Sequence, residues 1–231
     1  MHRSGMLIAF LGPVGVGKST VMQYLALLFK AEGKRVYLST LKSFHGPAYI
    51  LWSLVVKLLR LRSKGKYAPW LILLKSGKIN TVKSLLLFSM YSDAFLYIPI
   101  KLLSLRLMRR LGSIVLVEEY IYTAIVDYWY TAKQMLNMDD VPRIPQIVVL
   151  SLLEKHRPDM LVILVADIKE LVKRWRVRGY GEPQQRYLRL LIWYCLDFIK
   201  HPGKQVIDTT NLDVYKTVKH VYRLYYTLLL T

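Results

Sequence analysis

Acidic residues and cysteine are both scarce in this sequence. Lys and Arg together number 34, against 15 Asp and Glu, which gives the chain a formal net charge of +19. A charge of that size attracts polyanions such as nucleotides, nucleic acid or an anionic membrane face, and does not choose among them. Cys195 is the single cysteine, so an internal disulfide is excluded. Because the first residues run into a glycine loop and not into a signal-peptide cleavage site, we expect a cytoplasmic protein.

The sequence also lacks a long uncharged hydrophobic run. Its longest nearly uncharged stretch, Ser84–Ile100, contains Asp93 and Pro99 and is shorter than the ~20 apolar residues that span a bilayer. This predicts no transmembrane segment. Hydrophobic residues nevertheless make up 54% of the chain, which excludes a disordered protein and supplies a large core. The length of 231 residues suits one domain over residues 1–231.

Short apolar runs alternate with segments of helical periodicity along the chain. This alternation predicts an α/β protein in three layers, with a five-stranded parallel sheet covered by helices on both faces. In such sheets ligands bind beyond the carboxyl ends of the strands, so the residues that follow each run are the candidates for a site. The predicted strands are Met6–Leu11, Arg35–Ser39, Ser113–Glu118, Met160–Ala166 and Gln205–Asp208.

Residues 41–112 separate the second and third predicted strands by far more than one crossover helix requires. We therefore expect a helical insertion within the domain, with helices over Pro47–Arg62 and Thr81–Arg110 and a shorter one near Trp70–Leu74. The segment carries thirteen Lys and Arg residues and one acid, Asp93, so its net charge is +12. Two interpretations stay open: a solvated basic face, or a surface that binds an anionic partner such as nucleic acid or a membrane.

A glycine loop, Gly12–Thr20, reads GPVGVGKST and matches the pattern G-x-x-x-x-G-K-[ST] after a strand and before a helix. Its glycines let successive backbone N–H groups face the phosphates of a nucleotide, and the following helix directs its positive end at the same anion. Lys18 is expected to reach the β- and γ-phosphates of ATP, and the Ser19 hydroxyl to bind Mg²⁺. A glycine-rich turn without a nucleotide is the alternative. The predicted nucleotide-binding residues here are Gly12, Gly15, Val16, Gly17, Lys18, Ser19 and Thr20.

Two acids, Glu118 and Glu119, end the third predicted strand. A Mg²⁺ site needs a carboxylate at the end of a neighbouring strand, because this ion binds through few protein oxygens and keeps several waters. Side chains alternate along a strand, so we expect one acid to face the phosphates and the other to face an acceptor pocket or solvent. We favour Glu118 as the metal-binding acid, beside Ser19. A solvated strand end is the alternative.

Three arginines, Arg174, Arg176 and Arg178, end a predicted helix that runs into the sequence GYGEP. This pattern is typical of a hinged lid, which we expect over residues 174–184. An arginine that arrives when a site closes stabilises the charge that develops during phosphoryl transfer. Arg174 and Arg178 lie one helical turn apart on one face and are the candidate catalytic arginines. A basic helix end favoured by the helix dipole is the alternative.

Taken together, these segments resemble the thymidylate kinase family, within the nucleoside monophosphate kinase branch of P-loop proteins. The resemblance rests on LIAFLGPVGVGKST, LLLFSMYSDAF, GSIVLVEEY, PDMLVILVADIKELVKRWRVRG and VIDTTNLDVYKTVKHV, and it spans most of the chain. It implies a P-loop NTPase fold, ATP and Mg²⁺ as cofactors, and transfer of the γ-phosphoryl group to a nucleoside monophosphate. It also implies a homodimer and a place beside the adenine for Thr210. In this family the lid is basic when the phosphate loop lacks a basic residue, and no basic residue precedes Lys18 in this glycine loop. Thr210 or Asn211 also suits the N-cap of the helix that follows.

The sequence departs from the family where the family binds its acceptor. The family carries Asp-Arg-Tyr after the third strand, whereas this chain has EEY, so Glu119 replaces the arginine that binds the acceptor phosphate. The family's arginine in the preceding helix is missing around Ser92, and its Glu-Pro motif after the second strand is replaced by TLKS. Lys42, Lys57 and Arg60 are left as sources of an acceptor contact.

Two classes of function are compatible with these observations. The first is ATP-dependent phosphoryl transfer to a nucleoside monophosphate, with dTMP as the named acceptor. The second is a nucleotide-binding regulatory or adaptor protein that has lost acceptor recognition and binds nucleic acid or an anionic membrane through its basic insertion. The replaced acceptor arginines favour the second class, and the lid arginines favour the first.

Overall fold

The computed structural model describes residues 5–61, 68–177 and 183–230. Within them a five-stranded sheet, parallel throughout, runs in the order β2-β3-β1-β4-β5. The predicted α/β class is confirmed, and each end of each predicted strand lies within one residue of its observed position. The strands are β1 Leu7–Leu11, β2 Val36–Thr40, β3 Ile114–Glu118, β4 Met160–Val165 and β5 Lys204–Asp208.

Helices cover both faces of the sheet. Several contain or continue into a wider π-helical turn, at Asp93–Tyr97, Tyr130–Met135 and Tyr194–Phe198. In the described part of the chain the α-helices are α1 Lys18–Ala31, α2 Pro47–Leu58, α3 Pro69–Lys75, α4 Ile79–Ser92, α5 Ile98–Arg110, α6 Ile121–Trp129, α7 Arg143–Lys155, α8 Ile168–Val177, α9 Gln185–Trp193 and α10 Val214–Leu230.

Alternate residues of the central strand face the two helical layers. Ile8 and Phe10 are fully buried against a layer that includes α1, α8 and α10. Leu7, Ala9 and Leu11 face the opposite layer, which includes α2, α4, α5, α6 and α7. Both faces of β1 are therefore apolar, which is why the strand appears in the sequence as a continuous run and not as an alternating one. The sheet is thereby fixed as a rigid support for the loops at its carboxyl edge.

The insertion between β2 and β3 contains α2, α3, α4 and α5. The sequence predicts one continuous helix over Thr81–Arg110, whereas the structure interrupts it with the π-helical turn Asp93–Tyr97. Pro99 follows this turn and has no N–H to donate to the carbonyl four residues earlier, so the wider turn accommodates the missing bond. The helix predicted over Pro47–Arg62 ends earlier than expected, at Leu58.

α4, the π-helical turn and α5 form one segment of 32 residues, Ile79–Arg110, that is long and apolar enough to cross a membrane. That test rests on length and composition alone. Half of its most apolar window is buried inside the protein, as in a core helix of a globular fold, so the segment gives weak support for a span. The absence of a transmembrane segment stays a prediction.

Candidate functional site

The carboxyl ends of the parallel strands bring the loops of the candidate site to one edge of the sheet. The glycine loop Gly12–Thr20 follows β1 at the centre of this edge. The N–H of Glu119, after β3, donates to the Phe10 carbonyl at 2.9 Å, and the N–H of Thr209, after β5, donates to the Val165 carbonyl at 2.8 Å. The segments that follow β3 and β5 are thus held to the ends of β1 and β4 at this edge.

Three glycines set the path of the glycine loop. Gly12, Gly15 and Gly17 have φ angles of 136°, 95° and 103°, in the region where a side chain is strained. A Cβ on Gly12 would lie 2.0 Å from the Leu164 carbonyl oxygen, so close packing also excludes a side chain there. The loop turns directly into α1, whose first N–H groups have no intrahelical partner. This arrangement suits an anion such as the phosphates of a nucleotide.

Lys18 is the buried cation of the loop, with 4% of the residue exposed. Its Nζ donates to the carbonyl oxygens of Gly12 at 2.6 Å and Pro13 at 3.1 Å. The same atom lies 2.9 Å from the Glu119 Oε1. Lys18 is therefore held inside the curve of the loop, where the sequence pattern predicts the β- and γ-phosphates.

Ser19 and Glu118 form the candidate metal site. The Ser19 Oγ donates to the Glu118 Oε2 at 2.8 Å, and the Glu118 Oε1 lies 3.5 Å from the Lys42 Nζ. One hydroxyl and one carboxylate are the kind of sparse oxygen set that Mg²⁺ accepts while keeping its waters. The residues present thus fit the expected ion. Of the three basic residues left open as acceptor contacts, the structure brings Lys42 to this site.

The strand alternation used to predict the directions of Glu118 and Glu119 does not extend to Glu119. β3 ends at Glu118, and Glu119 adopts a φ of 59°, so strand alternation stops between them. The turn directs the Glu119 carboxylate to Lys18, while Glu118 contacts Ser19. Both acids therefore contact residues of the glycine loop.

A third carboxylate near the glycine loop, Asp127 on α6, was not identified from the sequence. It accepts hydrogen bonds from the hydroxyl groups of Ser43 and Tyr187. Burial raises the pKa of this carboxyl to about 6, although both hydrogen bonds oppose the shift; Glu119 raises the pKa further and Lys18 lowers it. A signal was present in the sequence, because Asp127 is the single acid in the apolar segment IYTAIVDYW.

Tyr128, which follows Asp127 on α6, binds a second buried acid, Asp93. Tyr128 donates its hydroxyl to Asp93, and the Phe44 N–H donates to the same Asp93 oxygen at 2.9 Å. Asp93 is fully buried, and desolvation raises the pKa of its carboxyl to about 7. Asp127 and Tyr128 together anchor the segment Ser43–Phe44 that follows β2, so the wall of the site between β2 and α6 is fixed.

Arg174 lies on α8 beside the glycine loop. Its guanidinium pairs with Glu170 at 2.8 Å and donates to the Thr209 carbonyl at 2.9 Å. A Cβ on Gly15 would lie 3.7 Å from the Arg174 Cβ, so the base of this side chain faces the loop. Arg178 and part of the predicted lid 174–184 lie outside the described residues. The structure therefore places one of the two candidate catalytic arginines at the site.

Thr210 links the loops after β4 and β5. Its Oγ1 donates to the Asp208 Oδ1 at 2.6 Å and accepts the Asp167 N–H at 2.9 Å. The N-cap of α10 is instead Asp213, whose carboxylate accepts the Lys216 N–H at 2.7 Å, so the capping role expected of Thr210 or its neighbour is wrong. The role of Thr210 beside an adenine stays a prediction.

No protein-family model matches the sequence, and no curated protein matches it. Among solved structures, a thymidylate kinase from Candida albicans, described as having broad substrate specificity and a novel structural element, is similar in fold. The likeness covers 97% of this chain and 92% of that enzyme, with a TM-score of 0.58 and 16% sequence identity. This likeness shows a nucleotide kinase-like fold. More narrowly, the fold is thymidylate kinase-like, which confirms the fold implied by the sequence resemblance.

Proposed function

We propose that this protein is a cytoplasmic, ATP- and Mg²⁺-dependent phosphotransferase that acts on a nucleoside-derived acceptor. The resemblance names a nucleoside monophosphate, with dTMP converted to dTDP as ATP becomes ADP. The observation that carries the proposal is the convergence of Lys18, Ser19 and Glu118 on one glycine loop at the carboxyl edge of the sheet. That edge is where α/β sheets of this kind bind their ligands.

In this proposal the chain's own residues position the nucleotide and neutralise its charge. Bound Mg·ATP supplies the γ-phosphoryl group. The backbone of the glycine loop and Lys18 would hold the phosphates, Ser19 and Glu118 would hold the ion, and Thr210 would lie beside the adenine. Arg174 would stabilise the charge that spreads over the transferred group, together with Arg178 of the predicted lid.

Production of ADP tests the proposal. Purified protein is incubated with Mg·ATP, with and without a panel of nucleosides and nucleoside monophosphates that includes dTMP. We expect turnover that depends on an acceptor and disappears in Lys18→Ala. The matched control is Lys30→Ala, at the exposed far end of the same helix. Absence of any acceptor-dependent turnover would remove the kinase proposal.

A second candidate function is a nucleotide-binding adaptor that has lost acceptor recognition. Glu119 favours it, because this acid stands at Lys18 where the family has an acceptor-binding arginine. In this function the basic insertion 41–112 would bind an anionic partner, either nucleic acid or a membrane surface. Binding of Mg·ATP without acceptor-dependent turnover, combined with salt-sensitive binding to RNA or to anionic vesicles, is the result that this function predicts.

A homodimer is part of the proposal because the resemblance implies one. Ile100, Leu103 and Leu107 on α5 are 63%, 67% and 52% exposed, and their spacing places them on one helix face. An apolar face of this kind suits association with a second copy. Sedimentation velocity of the wild type and of Leu103→Glu tests it: we expect a dimer that the charge converts to a monomer.

A further inference from the structure

The two sides of Lys18 differ in chemistry. On one side, Ser19 and Glu118 form the candidate metal site, and Lys42 lies 3.5 Å from Glu118. On the other side, the Glu119 carboxylate lies 2.9 Å from the Lys18 Nζ. Since Lys18 is the residue expected at the β- and γ-phosphates, Glu119 stands beside the group to be transferred.

Glu119 is held in this position by the fold. Its left-handed backbone, with φ at 59°, and the hydrogen bond from its N–H to the Phe10 carbonyl at 2.9 Å fix where its side chain begins. Only 8% of the residue is exposed. A strained backbone at a buried charged residue is costly, and it is common at functional sites. The position of this carboxylate is therefore a property of the loop and not of a freely rotating surface side chain.

Asp127 adds a second carboxylate to the same side. Its charge interacts with those of Glu119 and Lys18, and its oxygens accept from the hydroxyl groups of Ser43 and Tyr187. A phosphate monoester carries about two negative charges. Placed here, it would lie close to the carboxylates of Glu119 and Asp127 and to the γ-phosphate. Like charges at short range disfavour such an acceptor.

Phosphate and hydroxyl acceptors need different residues. A phosphate oxygen is already ionised at neutral pH, so its attack requires cations that offset charge and no base. A hydroxyl oxygen carries a proton, and a positioned carboxylate that takes this proton accelerates its attack. The residues beside Lys18, Glu119 and Asp127, are carboxylates, which suit a hydroxyl acceptor.

We infer that the reacting group of the acceptor is an uncharged hydroxyl, as in a nucleoside, and that Glu119 is the general base that takes its proton. The inference rests on the phosphotransferase activity proposed above and changes its acceptor from a phosphate to a hydroxyl. The hydroxyl oxygen forms a bond to the γ-phosphorus, and the bond from that phosphorus to the bridging oxygen of ADP breaks. The proton passes to Glu119, and ADP leaves with the electron pair of the broken bond.

Acceptor binding is the first test, because it does not depend on turnover. Calorimetric titration with thymidine and with dTMP is carried out on protein saturated with Mg²⁺ and a non-hydrolysable ATP analogue. We expect the wild type to bind thymidine at least about 10-fold more tightly than dTMP. Glu119→Arg should reverse this order, because the new cation can pair with the monophosphate. Tighter binding of dTMP by the wild type overturns the inference.

Turnover of the nucleoside is the second test. In Glu119→Gln we expect kcat for the nucleoside to fall by about 100-fold or more, with little change in nucleoside affinity. Glu154→Gln, a substitution at an exposed acid of α7, is the control and should behave as the wild type. Circular dichroism confirms that each variant is folded, and the wild-type titration remains decisive if Glu119→Arg is not.

The outcomes separate this inference from the proposed function. Turnover of nucleosides that requires Glu119 supports both. Turnover of dTMP without turnover of nucleosides leaves the phosphotransferase standing and overturns the hydroxyl acceptor. ATP hydrolysis that no acceptor stimulates overturns both, since water is then the nucleophile.

Discussion

At the scale of single residues, Glu118 separates metal binding from nucleotide binding. Its carboxylate accepts from Ser19 at 2.8 Å and lies 3.5 Å from the Lys42 Nζ. We expect Glu118→Gln to lower the affinity for ATP by about 10-fold or more in the presence of Mg²⁺ and to leave the metal-free affinity unchanged. Titrations with and without EDTA measure both. An equal loss in the two conditions contradicts the assignment of Glu118 to the metal.

Asp93 predicts a pH dependence of stability. Its pKa is raised from 3.8 to about 7 because the carboxyl is buried. Between these values the folded state binds more protons than the unfolded state, so the contribution of Asp93 to stability falls as the pH rises. Asp93→Asn removes this pH-dependent contribution to the free energy of unfolding. From about pH 5 to about pH 8 the unfolding free energy of the wild type should fall relative to the variant by on the order of 2 kcal/mol.

Urea unfolding of both proteins at the two pH values measures this difference. Asp127, whose pKa is also raised by burial, is present in both proteins and contributes equally to each. A difference that stays constant with pH, or that grows in favour of the wild type, contradicts the burial of an ionisable Asp93.

The residues of the site were predictable to different degrees. Lys18 and Ser19 follow from a contiguous pattern whose geometry is local. Asp127 binds Ser43, which is 84 positions away, so no local pattern reveals their contact. The direction of Glu119 depends on one backbone angle at a strand end, which alternation cannot supply. Long-range contacts and single-residue turns are thus what the sequence leaves undetermined.

At the scale of elements, the strands were predicted closely because each central strand is buried on both faces and is apolar throughout. The π-helical turn Asp93–Tyr97 was not predicted, since its cause is a combination of Pro99 with a buried Asp93 that is bound from another element. Hydrophobic periodicity predicts helices, but it does not predict a π-helical turn within a helix. The long helix of the insertion is therefore where sequence and structure differ most.

The packing of α2 on α4 depends on Trp52. This side chain is 1% exposed, its Nε1 donates to the Ser89 Oγ at 2.7 Å, and its ring packs edge-on against Phe44 and Trp70. We expect Trp52→Ala to lower the unfolding free energy by about 3–5 kcal/mol, as for large aromatic deletions in cores. Denaturant unfolding measures it. Trp193→Ala, at a side chain that is 51% exposed, is the control and should cost less than about 1 kcal/mol.

The position of α8 beside the glycine loop makes Arg174 the arginine to substitute. Its contacts with Glu170 and Thr209 hold it at the loop. If it stabilises the transferred group, Arg174→Ala should lower kcat by about 100-fold or more while changing ATP affinity much less. Lys173→Ala, one residue earlier on the same helix, is the matched control. Equal effects of the two substitutions on kcat would show that Arg174 only contributes general charge.

At the scale of the whole molecule, the fold is similar although few residues are identical. Sixteen per cent identity accompanies a likeness over 97% of the chain, because apolar strands and a glycine loop can be built from many sequences. The chain carries +19 overall, yet Glu119 and Asp127 place carboxylates at the site itself. The excess of positive charge can attract an anionic nucleotide, and in the proposal of a hydroxyl acceptor these local acids select the acceptor.

Calorimetric titration of Mg·ATP into the wild type, Lys18→Ala and Lys30→Ala tests the central claim most directly, because every proposed step requires a nucleotide at the glycine loop. We predict saturable binding by the wild type and by Lys30→Ala, strengthened by Mg²⁺, and loss of binding in a folded Lys18→Ala. Absence of binding to the wild type, or binding that Lys18→Ala leaves unchanged, would contradict the assignment of this loop as the nucleotide site.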